Sequence, residues 1–130
     1  MPAHEKEIEI RWRDLDAFGH VNHAVFLTYF EETRDEWTGL TIVGDRTRIW
    51  DYVIARVAVD YKRELTQADD VITVRCELAS IGTSSVRTQE QIVTRGGEVA
   101  AAAEAVLVAR DPETGRSRPL TEDERAALTS

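Results

Sequence analysis

The sequence predicts a single α+β domain in which one long helix packs against an antiparallel sheet. Three observations indicate this fold class: an alternating strand pattern at the start, a helical pattern after it, and four strand-like runs with short turns between them. A chain of 130 residues buries roughly two-thirds of the surface that it exposes when unfolded, so its core needs no disulfide or metal. Residues 1–130 are therefore expected to form one domain.

The first strand is predicted from strict alternation near the start of the chain. Ile8, Ile10 and Trp12 are expected on one face, with charged residues between them on the other. Residues 14–19 break this pattern, and their aspartates and glycine are typical of a loop.

A helix is predicted from about Asn22 to Trp37. The asparagine can cap its first turn because its side-chain oxygen can accept a backbone N–H, and Gly39 is a natural stop. Residues 41–48 form a connector whose conformation stays open. The residues that repeat every three or four positions, and that should face the sheet with Leu27 beside them, are Phe26, Phe30, Thr33 and Trp37.

Four strand-like runs complete the predicted sheet, at 52–62, 71–78, 86–94 and 98–110. The Gly-Gly pair at 96–97 predicts a hairpin between the last two strands. Thr121 begins a capped sequence that predicts a short terminal helix. A five-stranded sheet leaves edge strands, and pairing with a second copy of the chain is a common way to cover one.

Composition excludes several function classes. The net charge is −8, with 24 acidic and 16 basic residues, which argues against general nucleic-acid binding. No apolar run approaches the roughly 20 residues of a membrane-spanning helix, and the start has no signal-peptide pattern. The one cysteine, Cys76, fits a reducing compartment and lies on an apolar strand face, so we expect a cytoplasmic protein with a buried, inert thiol.

The densest polar cluster lies between the first strand and the helix. The first N–H groups of a helix have no intrahelical acceptor, so they can stabilise a developing oxyanion. A carboxylate one short loop away can attack a carbonyl or activate water. Capping and turn formation remain an alternative role for such residues. The two histidines with Asp16 could also be read as a metal site, but a hydrolytic site needs three ligands in defined geometry and no other histidine is near in sequence, so no metal is predicted. The cluster consists of Asp14, Asp16, His20, Asn22 and His23.

The run from Arg11 to Leu27, continuing through Tyr29 to Arg34, resembles the opening of hotdog-fold acyl-CoA thioesterases of the 4-hydroxybenzoyl-CoA thioesterase type. The pattern D-x-D-x-x-G-H-V-N-[NH]-x-x-[YF]-L carries this resemblance, and residues 59–65 are similar to a second family segment. The resemblance implies a hotdog fold, with a long central helix wrapped by a five-stranded antiparallel sheet. It also implies dimers or tetramers that pair sheet edges, with active sites at the subunit interface.

The resemblance also implies roles for individual residues. Asp16 matches the catalytic carboxylate, and His23 matches the position whose backbone N–H polarises the thioester carbonyl. This sequence departs from the family at two positions, since His23 stands where many relatives have Asn and Phe26 where Tyr is frequent. The implied substrate-binding residues, some of them reaching coenzyme A (CoA) from the second subunit, are Gly19, His20, Asn22, Tyr61, Lys62, Arg63, Ser84 and Ser85.

The expected function is hydrolysis of an acyl-CoA to a free acid and CoA, with Asp16 as nucleophile or as general base. No cofactor is expected, because CoA is part of the substrate. A homodimer or homotetramer is the expected assembly. Two alternatives stay open: a hotdog enzyme acting on carrier-protein thioesters, and a non-catalytic module that binds acyl-CoA.

Overall fold

The computed structural model describes residues 3–43 and 51–130 and confirms the α+β architecture. The strands are β1 His4–Glu9, β2 Tyr52–Tyr61, β3 Val71–Ile81, β4 Ser85–Val93 and β5 Val99–Ala109. The helices are α1 His23–Trp37 and α2 Glu122–Thr129. All neighbouring strands are antiparallel, in the order β1-β3-β4-β5-β2, so β1 and β2 are the two edges.

The first strand is shorter than the alternation predicts. Ile8 and Ile10 are buried as expected, but Trp12 is 82% exposed, so its placement on the buried face is wrong. The Ile10 N–H donates to the Asp70 carbonyl at 2.7 Å, and the chain then turns through a short 3-10 helix, Trp12–Asp14. The turn ends the alternation and carries the indole into solvent.

Helix α1 begins where the sequence predicts. The Asn22 side chain accepts the Ala24 N–H at 2.9 Å, and the four predicted sheet-facing residues are all buried. Leu27 does not join them and is 42% exposed, whereas Tyr29 is buried. Residue 27 is turned about 100° from residue 26 around a helix, so it falls outside the buried stripe.

The helix does not stop at Gly39. It continues as a π-helical turn over Thr38–Val43, in which Gly39 is buried. Thr38 sustains it, since its N–H donates to the Arg34 and Asp35 carbonyls and its hydroxyl donates to the Arg34 carbonyl at 2.8 Å. Residues 44–48 of the predicted connector lie outside the described residues.

A buried ion pair joins α1 to the centre of the sheet. Arg34 donates from Nε and Nη2 to the two carboxylate oxygens of Glu90, each at 2.8 Å, and Thr88 also donates to Glu90 at 2.6 Å. Such a bidentate pair restricts the orientation of its partners. It therefore holds α1 at one position over β4.

The remaining turn and cap predictions are confirmed. Gly97 has φ +85° in the β4–β5 turn, where the Thr94 N–H donates to the Glu98 carbonyl at 2.9 Å. Thr121 caps α2 by accepting the Glu124 N–H at 3.1 Å. Cys76 is fully buried on the inner face of β3, and burial raises the pKa of its thiol. That environment is the one expected for an inert thiol.

Candidate active site

A cavity of about 700 Å³ opens where the loop 14–22, the first turn of α1 and the end of β2 meet. Both catalytic residues implied by the resemblance line it, together with several of the implied substrate-binding residues. Two of its apolar residues, Val21 and Phe26, are also part of the hydrophobic core. The lining residues are Asp16, Phe18, His20, Val21, His23, Phe26, Tyr61, Lys62, Arg63 and Glu64.

Backbone hydrogen bonds fold the loop into a small hairpin. The Asn22 N–H donates to the Asp14 carbonyl at 3.0 Å, and the Asp16 N–H donates to the His20 carbonyl at 2.8 Å. Gly19 closes the turn by donating to the Asp16 carbonyl at 3.1 Å, and its φ of +79° favours glycine. The backbone of the loop is thus held at both ends and at its tip.

Asp16 lies on the cavity side of this hairpin. Its Oδ1 accepts the Phe18 N–H at 2.9 Å, which orients the carboxylate, and the residue is half-buried. In the described part of the chain, its second oxygen has no hydrogen-bond donor and the carboxylate has no ion pair. That oxygen is free to meet a substrate or a water molecule.

Asp14 lies beneath the same hairpin and is 3% exposed. It accepts hydrogen bonds from the Tyr29 hydroxyl at 2.7 Å, the Arg11 N–H at 3.0 Å and the Arg11 guanidinium at 3.2 Å. Burial alone would raise the pKa of Asp14, but the hydrogen bonds from Tyr29 and Arg11 outweigh it and hold that pKa below its ordinary value. Asp14 therefore has the structural role of capping and turn formation that the sequence also allowed for this cluster.

The first turn of α1 contains an N–H group that no described residue accepts. The Ala24 N–H is capped by the Asn22 side chain, and the Val25 N–H donates to the Asn22 carbonyl at 2.8 Å. The His23 N–H has no acceptor among the described residues. A helix N-terminus carries partial positive charge, so this group can bind a developing oxyanion.

His20 is tied to a residue that the sequence analysis missed. Its Nε2 lies 3.1 Å from a Glu64 carboxylate oxygen, and both side chains line the cavity. An isolated bridge between His20 and Thr66, together with the Val21 N–H to Leu65 carbonyl hydrogen bond at 2.8 Å, brings the two segments side by side. The local signals for Glu64 were its position in the family-like segment 59–65 and its adjacency to Lys62 and Arg63.

The end of β2 carries Tyr61 and the two cations. The Tyr61 hydroxyl donates to the His23 carbonyl at 2.8 Å, and burial raises the pKa of this phenol. Arg63 is paired with Asp69 at 3.1 Å and with Glu98 at 3.3 Å. Lys62 is exposed and has no ion pair in the described part of the chain. Lys62 is therefore the more available of the two cations.

Ser84 and Ser85 lie outside this cavity in a single chain. Ser85 pairs with Val108 on β5, whereas the end of β2 at Tyr61 pairs with Ala101. Seven residues of strand separate those positions, or roughly 23 Å at about 3.3 Å per residue. The two serines are thus at the opposite end of the sheet, and their approach to CoA from a second subunit stays a prediction.

No group of three or more His, Cys, Asp or Glu side chains in residues 3–43 and 51–130 could hold a metal ion. No helix in the same ranges is long and apolar enough to cross a membrane.

Comparisons with known proteins identify the family. The family model of the thioesterase-like superfamily matches residues 10–128. The chain is 27% identical to the long-chain acyl-CoA thioesterase FadM of Escherichia coli K12, covering 95% of this chain and 96% of the relative. It is 28% identical to the acyl-CoA thioester hydrolase YbgC of Escherichia coli O6:H1, covering 87% and 86%.

A solved structure shows the same fold with a related sequence. The thioesterase of Thermus thermophilus, solved with coenzyme A and Zn, superposes with a TM-score of 0.86 at 35% identity. The match covers 95% of this chain and 90% of the Thermus chain. The chain belongs to the thioesterase-like superfamily, and it is a hotdog-fold thioester hydrolase.

Proposed function

We propose that this enzyme hydrolyses acyl-CoA thioesters to a free acid and CoA. The observation that carries the proposal is the convergence of three features on one cavity: the Asp16 carboxylate, the start of α1 at His23, and the cation Lys62. The names of the two Escherichia coli relatives and the coenzyme A in the Thermus structure support this substrate class. The cytoplasm is the expected location, and no cofactor beyond the substrate's own CoA is proposed.

The thioester carbonyl oxygen is proposed to accept a hydrogen bond from the His23 N–H. That donor has no other acceptor among the described residues, so it is available without breaking an existing bond. As the carbonyl carbon becomes tetrahedral, negative charge develops on the oxygen, and the helix N-terminus stabilises it. A single oxyanion donor is worth about 10²–10³ in kcat in other enzymes.

Asp16 is proposed to attack the thioester carbon itself or to activate the water molecule that attacks it. As a nucleophile, its free oxygen bonds to the carbonyl carbon, the C–S bond breaks, and CoA leaves as a thiolate; water then hydrolyses the mixed anhydride. As a general base, it takes a proton from water while the water oxygen bonds to the same carbon, and the C–S bond breaks afterwards. Either route ends in the same acid and CoA.

Isotope labelling separates these routes. One turnover in H₂¹⁸O with enzyme in excess is followed by mass spectrometry of the peptide that contains Asp16. Incorporation of ¹⁸O into the Asp16 carboxylate would assign the nucleophile, because only an anhydride exposes that carbon to water. Failure to trap an anhydride with hydroxylamine, together with label in the acid product alone, would assign the general base.

The two cations that line the cavity, Lys62 and Arg63, are proposed to hold the phosphates of CoA. Lys62 is exposed and has no ion pair with any described residue, while Arg63 shares its charge with Asp69 and Glu98. The loop residues Gly19, His20 and Asn22 are proposed to shape the passage for the thioester arm. Binding through exposed cations weakens as salt is raised, so the KM for an acyl-CoA should rise with ionic strength.

The two sheet edges support a dimer that pairs through β2. Charged side chains cover the β1 edge, where Arg75 pairs with Glu5 at 3.1 Å and Lys6 with Glu36 at 2.9 Å. Edges blunted in this way resist pairing. The β2 edge instead exposes 38% of Val53, 47% of Ile54 and 37% of Val57. A second copy is the proposed cover for these residues.

Two-fold pairing of β2 with itself explains how distant residues can complete one site. Antiparallel pairing brings the Tyr52 end of the second copy beside the Tyr61 end of the first. Ser84 and Ser85 belong to the Tyr52 end of the sheet, because the Ala109 N–H donates to the Ser84 carbonyl and Tyr52 pairs with Ala109. The serines of the partner subunit are therefore proposed to approach CoA.

Thiol release from a panel of acyl-CoAs, from short aliphatic to aryl and long-chain, tests the proposed activity. We expect hydrolysis by the wild type and loss of about 100-fold or more in Asp16→Asn. The matched control is Asp123→Asn, which removes an exposed carboxylate of α2 that does not line the Asp16 cavity. Hydrolysis of carrier-protein thioesters but not of acyl-CoAs would transfer the assignment to that substrate, and binding without hydrolysis would favour a binding module.

Sedimentation velocity tests the proposed interface. Val57→Lys places a charge in the apolar edge and should convert the assembly to monomers with loss of activity. Glu7→Lys places the same side chain on the charged β1 edge and should change neither property. An unchanged assembly in Val57→Lys would rule out β2 as the interface.

A further inference from the structure

We propose that Tyr61 is a positioning residue, whose hydrogen bond to the His23 carbonyl holds the first turn of α1 so that the His23 N–H points at the thioester. The inference rests on the proposed function, because it assigns a task to a contact beside the proposed oxyanion donor. Tyr61 was expected only to bind substrate. Its hydroxyl instead lies 2.8 Å from the His23 carbonyl oxygen, at the element that polarises the carbonyl.

Tyr61 stands on a rigid base. It is the last residue of β2 and pairs with Ala101, which is fully buried on β5. The following N–H groups, of Lys62 and Arg63, both donate to the Ala100 carbonyl, at 2.9 and 3.1 Å. The phenol is therefore fixed to the sheet, and through it the helix start is fixed to the sheet as well.

Ring contacts hold the phenol against the same turn. The Tyr61 ring meets the Phe26 ring edge-on, with centroids 5.2 Å apart and planes at 68°. It meets the His23 ring with centroids 6.3 Å apart and planes at 86°. Edge-to-face pairs of this kind are favourable. Burial raises the pKa of Tyr61, so the hydroxyl keeps its proton and remains a donor at neutral pH.

The Tyr61 bond completes a set of restraints around one peptide group. On the N-terminal side, the Val21 N–H donates to the Leu65 carbonyl and the Asn22 N–H donates to the Asp14 carbonyl. On the C-terminal side, Tyr61 holds the His23 carbonyl. The His23 N–H lies between these fixed points, and a misplacement of about 1 Å in such a group can cost about 100-fold in rate.

Removal of the hydroxyl alone tests the proposal. Tyr61→Phe keeps the ring and its contacts but deletes the donor. We expect kcat on the best acyl-CoA to fall about 10-fold while KM changes less than about 2-fold, because the lost interaction acts in the transition state. Hydrogen exchange at the Leu27 amide, which donates to the His23 carbonyl within the helix, should become faster.

The same strand offers a matched control. The buried Tyr52 hydroxyl, at the other end of β2, has no hydrogen-bond partner among the described residues. Tyr52→Phe therefore removes the same atom from the same strand without breaking a described bond. Leu27 exchange in Tyr52→Phe should therefore equal that of the wild type.

Each further outcome has a defined meaning. A raised KM with unchanged kcat would show that Tyr61 contacts substrate instead, and would overturn the inference. A kcat within 2-fold of wild type, or unchanged Leu27 exchange, would overturn it as well. A wild type that hydrolyses no thioester would refute the proposed function. Leu27 exchange in Tyr61→Phe would then test only whether Tyr61 holds the first turn of α1.

Discussion

Two carboxylates that are two residues apart in the chain occupy opposite sides of the same loop. Asp14 faces inward and has three hydrogen-bond donors, from Tyr29 and Arg11. Asp16 faces the cavity and, among the described residues, accepts one bond, from the Phe18 N–H. A fully hydrogen-bonded carboxylate is a structural anchor, whereas a carboxylate with an oxygen that accepts no hydrogen bond is available for chemistry.

The largest expected effect separates activity from stability. Asp16→Asn should lower kcat about 100-fold or more while changing the free energy of unfolding by less than about 0.5 kcal/mol, because asparagine can still accept the Phe18 N–H. Thiol-release kinetics and urea denaturation measure the two quantities. A stability loss as large as that of an Asp14 variant would contradict the division of roles.

Removal of the buried anchor should act on stability first. Asp14→Ala leaves the buried Tyr29 hydroxyl and the Arg11 N–H without their acceptor. We expect a loss of about 3 kcal/mol in the free energy of unfolding, since hydrogen bonds to a charged group are worth about 1.5–3 kcal/mol and the orphaned donors add to the cost. Urea unfolding followed by circular dichroism measures it. A variant as stable as the wild type would show that Asp14 does not anchor the loop.

Tyr29→Phe removes one of those donors and keeps the ring. Its expected cost is about 1.5 kcal/mol, because the aspartate retains both bonds from Arg11. The double variant Tyr29→Phe with Asp14→Ala should be no less stable than Asp14→Ala alone, since the two residues share one interaction. Additive losses in this cycle would mean that the hydroxyl and the carboxylate act independently.

Acid should reduce the contribution of the anchor. The pKa of Asp14 in the folded chain lies below its ordinary value of 3.8, so the charged form stabilises the fold above that value. The contribution is lost as the pH falls from 3.8 through the lowered pKa. The stability difference between wild type and Asp14→Asn should therefore be greatest near neutral pH and shrink below about pH 4. A difference that stays constant or widens in acid would contradict this sign.

The smallest expected effect concerns the helix cap beside the loop. Asn22→Ala removes the acceptor for the Ala24 N–H and should cost about 1 kcal/mol in unfolding free energy. Asn22→Asp restores an acceptor and should recover most of that stability. Thermal melts of both variants measure the effect, and equal melting temperatures for Asn22→Ala and the wild type would argue against the cap.

Much of the fold follows from local signals. The start of α1 at His23 with Asn22 as its cap, the hairpin at 96–97 and the cap of α2 are all as predicted. Hydrophobic periodicity and capping depend on residues close in sequence, so they are readable from the chain alone. The resemblance of residues 11–34 to hotdog thioesterases likewise predicted the family, and the comparisons confirm it.

Two predictions made from the local pattern are wrong. Trp12 was expected on the buried face because it continues the alternation of Ile8 and Ile10. The Ile10 N–H instead donates to the Asp70 carbonyl, the chain turns after it, and Trp12 is exposed. Gly39 was expected to end α1, yet Thr38 carries the helix through it. For Trp12 a hydrogen bond to a distant segment decided the conformation, whereas for Gly39 the local hydrogen bonds from Thr38 to Arg34 and Asp35 outweighed the stop signal.

The sequence alone therefore determined the α+β class, the element boundaries to within a few residues and the acidic loop before α1, because periodicity, caps and turns are short-range properties. Only the tertiary structure decided which aspartate is buried, which residue joins His20 in the cavity, and that Tyr61 reaches the His23 carbonyl. Those outcomes depend on segments that are distant in the chain meeting in space, as Tyr61 and His23 do across 38 residues. The energies that select them arise from burial and from hydrogen bonds made in the assembled core, which no local pattern encodes.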